Sequence, residues 1–450
     1  LPFLSRRNYL IEVEHLLLWG MFAGMVEGGV CAVVASKTFG AGDLLITIVA
    51  ATPMFANLVS IVWGVLCRGR RKLVVFTALA GAAVTAVASI GATPQSDWGG
   101  WIFAAQVAVA RVFLSGVVTV RTSLWRSIYP QHVRGKISAR LQFARAASGV
   151  LAVAVAGLIF DADPLAYRWF YPVVASLGAV STLLITRTHI RGERTDLRRD
   201  PAPPPRPADR PLWLAPFDLA TLLSPRPILS QLLGVLRSDR RFARYCGAQM
   251  CLGVANQMIQ PLLAIIFTKR LGLSYLWCNG LIDVLPRIVM LLALAEWARL
   301  FDRVGVVRFR VVNSVGWLLT LAVAGAAAYV VRGADPLDET LLAVSVGLFA
   351  LARVGHGLSY AGGSIAWNIG HLHFASDSKA ELYMGVHVSL TGLRGLIAPF
   401  VGVLLYHVMD WWVFVISFAI QIAGLVQFRS LARDMEQSPD AVSGDTSAAR

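Results

Sequence analysis

The sequence predicts an all-α polytopic membrane protein in which twelve transmembrane helices form two pseudo-symmetric six-helix bundles. Three observations carry this. Hydrophobic residues make up 56% of the chain against 15% charged, more apolar side chain than one soluble core can bury, so lipid must cover the rest. The apolar residues fall into about twelve runs of roughly 20 to 28 residues, each long enough to cross a hydrocarbon core ~30 Å thick at ~1.5 Å per residue. Finally, Ala110-Arg111-Val112 with Trp125 recurs as Ala352-Arg353-Val354 with Trp367, both at an offset of 242 residues. Such self-similarity marks two copies of one membrane-embedded unit, each holding an arginine where a charge is expensive.

Taken in order, the expected spans are 15–36, 43–66, 72–92, 101–128, 136–159 and 166–186 in the first copy, and 242–268, 274–299, 307–331, 340–368, 381–408 and 410–430 in the second. In lipid every backbone polar group needs an internal partner, and runs of this length without alternation find it as helices rather than barrel strands. The first run imitates a secretory signal, with Arg6-Arg7 before it and small residues at Ala35-Ser36, but Glu12, Glu14 and Glu27 argue that it is retained as a span. Four segments follow. Residues 1–186 form the first bundle and 242–430 the second. Between them, 187–241 is a basic linker in which Pro201, Pro203, Pro204, Pro205, Pro207 and Pro211 forbid a span. Its end carries Leu229, Leu232, Leu233 and Leu236 at helical spacing before Arg237, Arg240 and Arg241, an amphipathic helix for the membrane surface or a simple tether. The polar stretch 431–450 reads as a disordered tail.

The net charge of +15 invites a nucleic-acid reading, and the placement of the charges answers it. Even-numbered connections hold Arg68, Arg70, Arg71 and Lys72, then Arg126, Arg134, Lys136 and Arg140, then the linker, then Arg299, Arg303, Arg308 and Arg310, then Lys379; odd ones hold only Lys37, Arg168, Lys269, Arg270 and Arg332. By the positive-inside rule the even loops and both termini lie in the cytoplasm, which agrees with an even number of spans in a plasma membrane, the inner one in a bacterium. The basic excess is therefore a topology signal, and the partners expected are lipid, a small solute and protons rather than DNA or RNA. Five cysteines, Cys31, Cys67, Cys246, Cys251 and Cys278, lack metal-ligand spacing and read as packing residues.

A second correspondence joins the halves. Pro53 precedes Trp63 in the second span as Pro286 precedes Trp297 in the eighth, each followed by a basic loop. Those loops, Gly64-Val65-Leu66-Cys67-Arg68-Gly69-Arg70-Arg71-Lys72 and Ala298-Arg299-Leu300-Phe301-Asp302-Arg303-Val304-Gly305, resemble the Gly-x-Leu-x-Asp-Arg-x-Gly-Arg-Lys signature of the major facilitator superfamily. Pro130-Gln131-His132-Val133-Arg134-Gly135-Lys136 is similar to the same family's loop between helices four and five. The resemblance implies the family's fold and secondary transport, and a gating role for Gly64, Arg68, Arg71, Asp302 and Arg303, which latch the bundles on the cytoplasmic side. The first copy lacks the aspartate, so more of that latch falls to Asp302 and Arg303; for Arg68 to Lys72 a plain solvated loop remains the competing reading.

Charges inside spans cost ~2.5–3.5 kcal/mol each at mid-depth and should face a partner or water. They are Arg111, Arg121, Arg145, Arg287, Arg353 and Arg394, with Glu27 and Asp283 as the deep carboxylates. Arg121 and Arg145 lie nearer the cytoplasmic ends, where snorkelling is the alternative reading. Asp283 and Arg287, four apart, suggest an internal pair. Glu27 shares a helix face with Gly20, Ala23, Gly24 and Cys31, where a neighbouring helix comes close; it is the candidate coupling residue, with Asp283 and Arg287, and a static Glu–Arg pair is the alternative.

Arg111 and Arg353 are expected to meet near the midplane, where two guanidinium forks suit a carboxylate or phosphate. His356 and Tyr360 follow Arg353 on its face, and Gln249, Gly253, Asn256 and Gln260 stripe the seventh span. The expected solute site is thus Arg111, Arg353, His356, Tyr360, Asn256 and Gln260, a helix–helix seam being the alternative for the stripe. Gly392, Arg394, Gly395, Pro399 and Gly402 read as a bending element.

Enzymatic readings find no support: there is no phosphate-binding loop, HExxH or nucleophile elbow, and no cofactor or metal is expected, His371, His373 and Asp377 being the nearest to a cluster. The chain reads as a monomeric secondary transporter working by alternating access, proton-coupled, for a small anionic organic solute. A multidrug or lipophilic-cation exporter, and a non-transporting sensor or lipid-handling protein on the same fold, are the alternatives.

Overall fold

A computed structural model describes residues 3–67, 70–190, 197, 225–333, 338–375 and 380–437, and among these the only regular structure is helical. The first half comprises α1 (Phe3–Gly24), α2 (Gly28–Phe39), α3 (Asp43–Leu66), α4 (Lys72–Ala88), α5 (Gly99–Ile128), α6 (Gln131–Ala162) and α7 (Tyr167–Ile185). Then come α8 (Pro225–Ser238), where the amphipathic helix was expected, and the second half: α9 (Arg240–Ile265), α10 (Tyr275–Asn279), α11 (Leu285–Val304), α12 (Val306–Gly333), α13 (Glu339–Ile369), α14 (Ala380–Met409) and α15 (Trp412–Gln437). Eleven helices are long and apolar enough to cross a membrane, and twelve spans result when the bent pair α1–α2 counts as one. Twelve crossings return both chain ends to one face, termed here the terminal face.

Three boundaries differ from the sequence reading. The first span starts at Phe3 rather than 15 and is not continuous: α1 stops at Gly24, α2 starts at Gly28, and the axis bends by 40°. Glycines on both sides of the break leave little to hold the helical register there, and Glu27 becomes the N-cap of α2 instead of one position on a continuous face. The eighth span is also interrupted, with a π-helical turn, Gly280–Val284, between α10 and α11. The last helix runs to Gln437, so the segment expected to be disordered from 431 begins as helix. Most of the 187–241 linker lies outside the described residues, as does everything after 437.

The halves repeat each other in detail. Trp63 of α3 lies over Gly116 of α5, donating its indole N–H to Val112 O at 3.1 Å; Trp297 of α11 lies over Gly362 of α13. In each half, then, a tryptophan from the second span fills a notch in the fourth that only a residue without a β-carbon leaves open. The first helices cross the fifth at glycines too: Gly20 of α1 abuts the Arg145 carbonyl of α6, and Gly253 of α9 abuts the Arg394 side chain of α14.

The halves adhere through α3 against α14, and through α2, α9 and α10 against one another and α6. Among the described residues, the polar bonds between halves lie at mid-depth or at the face opposite the terminal one. They include Ser36–Thr268 at 2.7 Å, Thr38–Tyr275 at 2.9 Å, Lys37 Nζ to Leu273 O at 2.7 Å, Lys269–Asp43 at 2.7 Å, and the Tyr275 and Leu276 N–H groups donating to Asp161 at 2.6 and 3.0 Å. Among the described residues, the polar bonds that tie the halves together are thus gathered towards the opposite face.

Candidate functional site

The helix break in the first span presents Glu27 to both halves. Its carboxylate lies 3.5 Å from Arg111 Nη1 of α5 and 3.6 Å from Arg287 Nη2 of α11. Arg287 also binds Asp283 at 2.8 Å, the i,i+4 pair expected from sequence. A β-carbon at Gly149 of α6 would sit 3.7 Å from Arg287 Nη1, so this guanidinium reaches across the interface to within one turn of Arg145. Glu27, Arg111 and Arg287 are partly exposed and Asp283 is buried; the place between the halves where they meet is termed here the chamber.

Arg145 does not snorkel to the membrane surface. Its Nε donates to Gln142 at 3.0 Å, and it lies within electrostatic reach of Glu27, Arg287, Arg111 and Tyr360. Among the described residues it has no carboxylate within 4 Å. The chamber thus gathers three guanidiniums against two carboxylates. Tyr360 faces this group from α13 and is 48% exposed despite its position in mid-helix. A hydroxyl, three planar donor forks and a shared carboxylate can bind an anion and exchange it for the carboxylate.

Arg353, the repeat partner of Arg111, behaves differently. It is 4% exposed and donates to Leu281 O at 2.9 Å and Ile282 O at 2.7 Å. These carbonyls belong to the π-helical turn, and a buried carbonyl must find a donor somewhere. The expectation that Arg111 and Arg353 face one another across a wet midplane therefore meets a geometric obstacle: one guanidinium is held inside the second half. Arg353 does line a cavity of about 20 Å³, room for a single water, together with Asn256, Gln260, His356 and Thr320. Asn256 there donates to its own helix, to Leu252 O at 2.9 Å. His356 stands edge-on to Trp317 at 4.9 Å and stacks on Tyr360 at 5.9 Å. The structure thus brings four of the six expected solute residues to one small cavity and puts Arg111 and Tyr360 in the chamber.

The remaining expectations sort as follows. Arg121 does not snorkel: it is 6% exposed and pairs at 3.3 Å with His15 Nε2, free to accept because Nδ1 donates to Ser181 O at 2.9 Å. Arg310, assigned to a loop by sequence, is inside α12 and 1% exposed. In the gating set, Gly64 lies in the last turn of α3, Arg71 is the exposed N-cap of α4, and Asp302 and Arg303 are exposed without an ion pair among the described residues; Arg68 lies outside them. Of the histidines near Asp377, which is also outside, His371 is buried and His373 exposed, and desolvation lowers the pKa of both. Burial raises that of the Cys67 thiol. Among the described residues no three ligating side chains converge on a metal position.

A small apolar-lined opening of about 470 Å³ lies between α11 and α13, against Val289, Leu292, Ala293, Trp297, Leu300 and Leu358, with Glu296 at its edge. Leu292 is among the most exposed large side chains of the chain.

Comparison with known proteins supports the same architecture. The family model described as Major Facilitator Superfamily matches residues 16–331. Among solved structures, a D-xylose-proton symporter superposes with a TM-score of 0.65 at 13% identity, covering 93% of this chain and 96% of its own. The inward-open xylose transporter XylE from E. coli gives 0.62 at 12%, covering 95% and 96%. A POT family transporter in complex with a thioalcohol-conjugated peptide gives 0.64 at 14%, covering 95% and 96%. At these identities the likeness is one of fold. No curated protein matches the chain in sequence.

Proposed function

The chain belongs to the major facilitator superfamily and is a multi-pass secondary transporter, and from that premise we propose that it carries a small anionic organic solute by alternating access, coupled to protons through Glu27. The observation that carries this reading is Arg145. A permanently charged fork at mid-depth, partly exposed and, among the described residues, with no carboxylate within 4 Å, suits an acidic group of the solute, and Arg111 and Tyr360 stand near it to share that group. In this reading Arg145 takes the part expected of Arg353, whose Nε and Nη2 are held by backbone carbonyls.

Glu27 is the element that both substrate and proton act on. It bridges Arg111 of one half and Arg287 of the other, so rocking the halves apart on the opposite face breaks one of its two ion pairs. A proton then compensates the carboxylate, or an anion takes its place on the guanidiniums. The terminal face is cytoplasmic in this scheme, following the basic loops, and the latched opposite face makes this the inward-open state.

The test is thermal-shift screening of the purified protein against carboxylates, sugar phosphates and lipophilic cations, since a bound solute stabilises by mass action. An anionic hit is expected, with the shift lost in Arg145→Gln. Stabilisation by cations alone, retained in that variant, overturns the anion reading. It would favour the second reading, a lipophilic-cation exporter, for which the apolar opening beside Glu296 is the supporting feature.

A further inference from the structure

Outside the chamber, the terminal third of the second half holds a second concentration of positive charge. Arg310 of α12 is 1% exposed; its Nη1 makes a long contact of 3.4 Å to Asn313, and its Nε and Nη2 are buried with no hydrogen-bond partner. Arg394 of α14 is 9% exposed and donates Nη1 to Gln249 O at 2.9 Å, with Nε buried and unpartnered. His387, seven residues and so about two turns before Arg394 on the same helix, is buried with Nε2 unpartnered, as is His371 at Nδ1. His387 lies within electrostatic reach of Arg394, Arg310 and His371, and Arg394 within reach of Arg310. Among the described residues no carboxylate pairs with either arginine.

This arrangement is physically incomplete as it stands. A guanidinium does not shed its proton to escape burial, and two of them with idle N–H groups in a dry interior are costly unless an anion answers them. Among the described residues no side chain supplies one. The neutral side of each imidazole, in the tautomer that carries a proton on the unpartnered nitrogen, adds a further donor. Among the described residues, the unpartnered atoms of Arg310, Arg394, His387 and His371 are thus donors, and the unpartnered Gln249 Oε1 atom beside them is an acceptor that an amide rotation would exchange for a donor. Side chains packed to between 1% and 9% exposure leave no path for an extended organic acid.

We propose that Arg310, Arg394, His387 and His371 form a binding site for a small monovalent inorganic anion, chloride in ordinary buffers, buried in the second half and separate from the solute chamber. The ion ties α12 and α14 to the α9 segment around Gln249, and so fixes the cytoplasmic third of this bundle as a rigid body while the halves rock. Gly253, whose missing β-carbon lets the Arg394 side chain lie against α9, is what gives that arginine its path into the site.

The experiment uses the full-length protein in detergent or nanodiscs at constant ionic strength, with sodium chloride exchanged for sodium gluconate. A saturable rise in unfolding temperature with chloride is expected, reproduced by bromide, and lost in Arg310→Gln. Arg429→Gln, which removes an exposed arginine outside the site, is expected to retain the response, and a monodisperse elution profile is required of every variant so that those that fail to fold are set aside. Crystals or oriented samples in bromide should show anomalous scattering within contact distance of Arg310 and Arg394. An unfolding temperature that is the same in chloride and gluconate, a response unaltered in a folded Arg310→Gln protein, or no bromide signal at saturating concentration each overturns the site. None of these readouts involves Arg145, so the transport reading stands or falls apart from this one.

Discussion

Arg111 and Arg353 hold the same place in the two copies of the repeat and have opposite occupations. Arg111 keeps its guanidinium partly exposed and pairs with a side chain, Glu27, across a helix break. Arg353 is buried and pairs with backbone, the Leu281 and Ile282 carbonyls left free by a π-helical turn. The difference lies in where each half interrupts its helices. In the first half the interruption falls at Gly24–Gly28 and offers a carboxylate; in the second it falls at Gly280–Val284 and offers carbonyls. An ion pair between side chains is remade easily when halves move, whereas carbonyls of a packed turn are not released without unfolding it. Duplication thus yielded one arginine for the moving interface and one for the scaffold.

The same contrast recurs at the fifth span of each half. Both Arg145 and Arg394 sit where a glycine of the half's first helix crosses. Arg145 turns to the chamber, Arg394 into the interior of its own bundle.

The largest effect that would break the comparison is on stability. Arg353→Gln strips two buried carbonyls of their donors, and with about 1–3 kcal/mol for each unsatisfied group the loss should reach several degrees of unfolding temperature or abolish monodisperse expression. If this protein unfolds as the parent does, Arg353 is not a scaffold residue. Arg111→Gln should fold normally and lose solute uptake into proteoliposomes by roughly tenfold to a hundredfold, the equivalent of one charge-assisted hydrogen bond of about 1.5–3 kcal/mol; undiminished uptake would remove it from the chamber. Glu27→Gln sharpens the distinction further. Exchange of solute across the membrane should continue while a pH gradient no longer drives accumulation, and persistence of gradient-driven uptake would assign coupling elsewhere. The smallest change is expected from Asp43→Asn, which loosens the opposite-face latch to Lys269 and His407. Such partly exposed pairs contribute about 0–1 kcal/mol, so spin labels at Gln95 and Trp412 should report a modest gain in the population with a longer separation, and an unchanged distance distribution would show that the latch is held by the buried contacts alone.

Much of the fold was legible in the residues. Run lengths placed the spans, and Trp63 with Trp297 and Arg111 with Arg353 announced the repeat before the packing of Trp63 on Gly116 and Trp297 on Gly362 displayed it. The i,i+4 pair Asp283–Arg287 was read correctly because both partners lie on one helix. The site was harder. For Arg145 and Arg121 depth alone left a surface-seeking reading open, yet one faces the chamber and the other is buried against His15. Arg310 was counted among loop charges, although the apolar sequence that follows it already belongs to its helix. One signal was available and passed over: the glycines that flank Glu27, Gly24 before it and Gly28-Gly29 after, mark a break in the first span.

Composition, run length and internal repetition determined by themselves that this chain spans a membrane twelve times in two related halves, because burial of apolar surface and backbone hydrogen bonding in lipid are set by local stretches of sequence. Which arginine pairs with a side chain between the halves and which with backbone was decided only by the tertiary structure. A long, flexible, permanently charged side chain takes whichever partner lies within a few ångströms, and those partners, the Glu27 carboxylate at one helix break and the carbonyls of a π-helical turn at another, come from distant segments whose meeting no linear spacing records.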